Sequence, residues 1–257
     1  MITAIKPELL KIRTIRLLVG MLAAAAAWTA MVCIVESSRS GPGGLVPALS
    51  TEAGLRAVIS STGFATILAA AFGATISSGE FRHNTATDTY IDEPNRLRVL
   101  AAKVITGALV GLSFGLVGVA ITTSVGLSFT IGNGYSVPFG AGTIARYAAG
   151  AVIGAGLLGA VGAGLGSLIR SQLAAVIAIF AMAFGVEQIV GGVSRAAAVY
   201  LPFVSASTMA GGTRYSMPPL PVGLAPLPFA GVAALLVAIA WLISTVAAHT
   251  AVKRDIT

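Results

Sequence analysis

Apolar residues run through this chain in long stretches. They show neither the period-two alternation of a half-buried strand nor the three-to-four spacing of a surface helix. Six stretches stand out, at 17–34, 55–76, 104–127, 144–169, 173–190 and 229–247. A helix needs about 20 apolar residues to cross the hydrocarbon of a bilayer, and each stretch is close to that length. Backbone polar groups find no water there, so each stretch must close its own hydrogen bonds as a helix. The pattern predicts an all-α integral membrane protein with one transmembrane domain over 1–257. Residues 1–16 precede the first span and 248–257 form a tail after the last.

Lys6, Lys11, Arg13 and Arg16 lie before the first stretch, as they would in a secretory signal peptide. The stretch is longer than a usual signal core and five more follow, so the reading is a retained first span. Pro7 suits a first helical position. Leu9, Leu10 and Ile12 can dip into lipid beside the basic residues, so 7–16 is expected to form an interfacial helix.

Composition agrees. Of 257 residues, 56% are apolar and 10% charged, and the mean hydropathy is +0.92. So little charge cannot cover a water-facing surface, which excludes a soluble domain and a disordered chain. The net charge of +7 would suggest nucleic acid in a soluble protein. Here no basic stretch has interleaved aromatics, and contact with anionic lipid explains the charge instead. The single cysteine, Cys33, excludes a disulfide within the chain and a multi-cysteine metal site.

Basic residues mark the cytoplasmic side of short loops. An internal N-terminus places 11 of the 16 Lys and Arg inside, including Arg82, Arg96, Arg98, Lys103 and Arg170. The five outside are Arg39, Arg56, Arg146, Arg195 and Arg214. Both termini are therefore expected in the cytoplasm. Tyr135, Tyr147, Tyr200 and Tyr215 then fall near the outer boundary, as in an aromatic belt. Residues 191–228 are apolar yet hold six of the eleven prolines. This outer segment is expected to form short helices that enter the membrane and return, since broken backbone at that depth must be buried in protein or line a wet cavity.

No catalytic engine is legible. None of the four lysines follows a GxxxxG, and HExxH and CxxC are absent. His83 and His249 are both expected on the inner side and support no nucleophile–base pair. Glu187 is the one ionisable residue placed clearly inside an apolar helix. A carboxylate there needs a partner. Arg146 and Arg195 are the candidates, with simple hydration near the surface as the competing explanation. Glycines recur at helical spacing. Gly107, Gly111 and Gly115 share one face of the third stretch, and Gly150 and Gly154 lie in the fourth. Small residues so spaced let helix backbones approach closely.

Residues 77–103 are charged and amphipathic, SSGEFRHNTATDTYIDEPNRLRVLAAK. The plain reading is a solvated inner loop. The other is a docking helix for a soluble partner, with Phe81 and Tyr90 as aromatic anchors.

Gly79 to Tyr90 (GEFRHNTATDTY), followed by EPNRLRVLAAK, closely resembles the loop after span two of type-2 ABC exporter permeases. The pattern is an acidic residue, an aromatic and an arginine, then a small polar stretch, a proline-basic segment and a lysine before span three. The six-span plan, the interfacial N-terminal helix and AVYLPFVSASTMAGG before span six also match. Asn84 departs from the pattern, where relatives often carry glycine. The Ala/Gly-rich style resembles that of a high-GC, actinobacterial chain.

The resemblance implies a permease subunit in a bacterial plasma membrane that is not itself an enzyme. It would bind no cofactor. ATP and magnesium would sit on two copies of a separate ABC ATPase. A second permease copy, identical or homologous, would complete the pathway for a drug, antibiotic or lipid-like substrate. Glu80, Phe81, Arg82, His83, Thr85, Thr87, Asp88 and Tyr90 would form the cytoplasmic coupling helix between spans 2 and 3. The segment between spans 5 and 6 would supply re-entrant outer helices. Two other classes compete: a secondary transporter, which should show internal repeats that are not evident here, and a membrane scaffold or immunity protein.

Overall fold

The computed structural model describes residues 16–82, 96–169, 171–213, 220, 223 and 225–253. Among them every regular element is helical, apart from an isolated bridge between Ser40 and Val46. In chain order the helices are α1 (Arg16–Ser38), α2 (Glu52–Ile59), α3 (Gly63–Arg82), α4 (Arg96–Gly132), α5 (Ala141–Ile169), α6 (Gln172–Ala181), α7 (Glu187–Val193), α8 (Arg195–Ala198), α9 (Pro202–Met209) and α10 (Phe229–Lys253). A π-helical turn, Met182–Val186, joins α6 to α7. Counting α2 with α3 and α6 with α7, six helical units are long and apolar enough to cross a membrane.

The helices overrun the apolar stretches. α4 begins at Arg96 and ends at Gly132, so Lys103 lies about two turns inside it. Lys103 is 3% exposed, although its sequence position suggests a cation on the inner rim. The second apolar stretch is not one helix. It breaks at Ser60–Thr62 without a proline. There the Ser60 and Ser61 hydroxyls turn back on the Ala57 carbonyl, and Thr66 Oγ1 donates to Thr62. Hydroxyls that compete for backbone carbonyls weaken and bend a helix. Thr51 caps the start of α2 by accepting from the Gly54 N–H.

This broken second span is the axis of the molecule. Its apolar stretch is 94% buried within the chain, against 17% for the first and sixth spans. Burial by other helices rather than by lipid requires small contact residues, and the sequence supplies them. A Cβ on Gly73 would strike the Gly159 carbonyl, one on Gly162 the Ala70 carbonyl, and one on Gly166 the Ala74 carbonyl. An adjoining seam of α5 meets α4. Gly107 would place a Cβ 2.6 Å from the Gly159 oxygen, Gly111 would meet Ala155, and Gly115 would come 2.7 Å from the Val152 Cα. α3 and α4 thus approach α5 side by side, and both reach Gly159.

Larger side chains fill what remains. Trp28 of α1 lies against Phe64 of α3, with ring centroids 4.9 Å apart, and Phe72 of α3 against Phe114 of α4. One apolar cluster joins Ile67 of α3, Leu158 of α5, Ile179 of α6, Phe203 and Met209 of α9, and Leu236 of α10. The short helix α9 is therefore part of the core. Expected span boundaries at 34, 127 and 190 fall short of the observed helix ends at Ser38, Gly132 and Val193.

Candidate functional site

Three polar groups of the described residues, centred on Glu187, Glu36 and Tyr147, lie at one end of the bundle. This end carries the last turn of α1, the first of α2 and of α5, and the α7–α9 segment. It is the end that the count of basic residues expects outside.

Glu187 is the centre of the first group. It follows the π-helical turn directly, and its own N–H bonds the Met182 carbonyl five residues back. A π-turn adds one residue to the helix and re-aims the side chains that follow it. Here it turns Glu187 inward, to 1% exposure. The carboxylate accepts the Phe203 N–H on Oε1 at 2.9 Å and the Val204 N–H on Oε2 at 2.8 Å. These belong to the first turn of α9, whose N-cap, Leu201, has no side-chain acceptor to offer. Pro202 opens the helix without needing a donor partner. A residue 16 positions earlier therefore caps α9 from the fifth span.

This corrects the expected partner of Glu187. Arg146 stacks instead on Tyr147, with its guanidinium carbon 5.2 Å from the ring centroid. Arg195 lies beside Gly223. Hydration is excluded by burial. A helix N-terminus offers two aligned donors and the positive end of a dipole, and so satisfies a buried carboxylate without burying a second full charge.

The second group was not legible in the sequence. Glu36 falls just past the first apolar stretch, but α1 continues through it and leaves it 7% exposed. Ser61 Oγ, at the break between α2 and α3, donates to Glu36 Oε2 at 2.7 Å. One signal was available. Ala25, Thr29, Cys33 and Glu36 follow helical spacing, and all four are buried. Each of these two carboxylates thus secures an interruption, Glu187 at the start of α9 and Glu36 at the break in the second span.

The third group surrounds Tyr147. This residue is 6% exposed and is a buried pillar rather than part of a belt, whereas Tyr135 and Tyr200 are 44% and 57% exposed. Tyr215 lies outside the described residues. Phe139 meets the Tyr147 ring edge-on at 6.3 Å. Gly211, at φ +78°, sits so close to the ring that a Cβ would lie 2.5 Å from its Cδ1. Arg56 Nε donates to the Gly211 carbonyl at 2.8 Å, and its guanidinium carbon lies 5.4 Å from the ring centroid.

The glycines of the third and fourth spans divide by partner. Gly107, Gly111 and Gly115 face α5 from α4. Gly150 and Gly154 face α9: a Cβ on Gly150 would strike the Met209 carbonyl, and one on Gly154 would lie 3.4 Å from Ala206. The spacing that suggests a seam between spans three and four thus also seats the outer short helix.

Glu80, Phe81 and Arg82 form the last turn of α3. His83, Thr85, Thr87, Asp88 and Tyr90 lie outside the described residues, as do residues 1–15, which include most of the expected interfacial helix. Among the described residues no group of three His, Cys, Asp or Glu could hold a metal ion. The arrangement offers one buried carboxylate engaged as a helix cap, another engaged by a serine hydroxyl, and arginines engaged with an aromatic ring. No protein-family model, curated protein or solved structure matches the chain.

Proposed function

We propose that the chain is the transmembrane permease subunit of an ATP-driven exporter of the type-2 ABC class. It would act in a bacterial plasma membrane with both termini in the cytoplasm, paired with a second permease copy and two separate ATPases. The observation that carries this reading is the GEFRHNTATDTY segment and where it attaches. Its first residues end α3, the helix most enclosed by the others, and α4 begins at Arg96. A force applied between these two helices reaches the glycine seams on α5 directly. ATP and magnesium would belong to the partner ATPase. The segment holding α8 and α9 would act as the re-entrant outer element, carried on α5 and capped by Glu187. The cargo class would be a drug, antibiotic or lipid-like molecule.

The test is co-purification with a candidate ABC ATPase, sought first in the neighbouring reading frame and co-expressed with this chain. Phe81→Ala should weaken the complex by about 2 kcal/mol, near thirtyfold, as loss of an aromatic anchor does. Arg82→Ala should weaken it less, since an exposed ion pair contributes about 0–1 kcal/mol. Both variants should insert normally and lose transport-coupled ATP hydrolysis. Unchanged ATPase binding and hydrolysis in Phe81→Ala and Glu80→Ala would make the segment a solvated connector and remove the main support for an exporter.

A further inference from the structure

The Tyr147 group has an unbalanced charge. Arg56 and Arg146 come from different helices, 90 positions apart in sequence. Their guanidinium carbons nonetheless lie 5.4 and 5.2 Å from the centroid of one ring. The negative face of an aromatic ring attracts each cation, but two cations drawn to one ring still repel each other and call for an anion. The described residues do not supply one. Of the three carboxylates at this end, Glu36 is engaged by Ser61 and Glu187 by the start of α9. The third, Glu52, makes no ion pair with either arginine among the described residues. Residues 194–228 contain no Asp or Glu in sequence.

The location adds a second constraint. Arg56 follows the first residue of α2 by one turn and Arg146 follows the first residue of α5 by little more. Both sit roughly 6–8 Å below the end of a spanning helix, at the level of lipid headgroups rather than of bulk water. Arg56 is half-buried and aimed by the Gly211 carbonyl, which uses its Nε and leaves the two terminal nitrogens of the fork. Arg146 is exposed, and the ring is its one described contact. Planar forks of this kind recognise phosphate oxygens two at a time.

We infer that Arg56 and Arg146, gathered on Tyr147, form a binding site for the phosphate-bearing headgroup of an anionic membrane phospholipid. The headgroup lies against the mouth of α2 and α5. It neutralises the pair and braces Gly211, and through it α9, which ends at Met209. The site does not depend on what the protein transports.

The experiment uses the full chain purified in neutral detergent, with thermal unfolding followed as lipid is added. Phosphatidylglycerol should raise Tm by roughly 5 °C, the size expected for a ligand well above its Kd in a chain of this length. Phosphatidylcholine with the same acyl chains should not, nor should inorganic phosphate. Arg146→Gln, at an exposed position, should remove most of the shift, while Arg146→Lys should keep part of it. Arg39→Gln, which removes an exposed charge elsewhere at the same end, should keep it all. Native mass spectrometry should show one retained phosphatidylglycerol per site in wild type and none in Arg146→Gln. An equal shift in Arg146→Gln and wild type overturns the site. An equal shift with phosphatidylcholine overturns the charge selectivity, and reproduction by inorganic phosphate overturns the lipid assignment.

Discussion

Glu187 and Val204 lie 17 positions apart, and the carboxylate of the first accepts the backbone N–H of the second at 2.8 Å. With the parallel bond from Phe203, this makes the fifth span the cap of a helix that belongs to the following segment. Capping is usually local, supplied by a Ser, Thr, Asp or Asn at the helix start. Leu201 occupies that place here and cannot do it. The outer segment is therefore fastened to a spanning helix by a charge-assisted contact out of reach of water.

Glu187→Ala leaves two buried donors without an acceptor. Each costs about 1–3 kcal/mol, so a loss of about 3 kcal/mol is expected. Glu187→Gln keeps an acceptor oxygen and should lose roughly half as much. Hydrogen exchange should locate the change at Phe203 and Val204, with α4 and α5 unaffected. Wild-type protection at these two amides in Glu187→Ala would mean that α9 is held by its packing on Gly150 and Gly154 alone.

Glu36 and Ser61 form a second such contact and can be measured as a pair. Ser61→Ala strands a buried carboxylate, while Glu36→Gln removes the charge and keeps an acceptor. The single Ser61→Ala variant should be destabilised by about 2 kcal/mol, and adding Glu36→Gln should return part of that loss. Strict additivity in this cycle would show that the hydroxyl and the carboxylate do not interact energetically.

The glycines separate into two classes with opposite expectations. At Gly162 a Cβ would strike the Ala70 carbonyl, so even Gly162→Ala must push α3 and α5 apart. Gly111→Leu should do the same to α4 and α5. Nothing lies within 4 Å of a Cβ at Gly20, an exposed position within α1. Gly20→Ala should be neutral or stabilising by up to about 1 kcal/mol, the helix-propensity difference. Melting temperatures in detergent decide between them, and equal behaviour of Gly162→Ala and Gly20→Ala would contradict the close seam.

Orientation rests on the placement of 11 basic residues on one side and 5 on the other. A reporter fused to the C-terminus should read cytoplasmic, and one inserted near Gly212 should read external. The reverse pair of signals inverts the topology and moves the Tyr147 site to the inner leaflet.

The sequence by itself determined the class of structure. Long apolar stretches with few charges admit one solution in a bilayer, a helix per stretch, because backbone groups there have no other partner. It also marked Gly107, Gly111 and Gly115 as close-contact positions, since their spacing aligns them on one face of a helix. Tertiary structure decided the rest. The break in the second span depends on Ser60 and Ser61 meeting Ala57 and Glu36, and hydropathy does not record hydroxyl geometry. Whether α1 faced lipid or protein at Glu36 was set by where α2 and α3 came to lie. The partner of Glu187 was a pair of backbone N–H groups, which every sequence contains and no side-chain pattern announces. Their availability arose only when the chain after the fifth span folded back and brought the uncapped start of α9 against it.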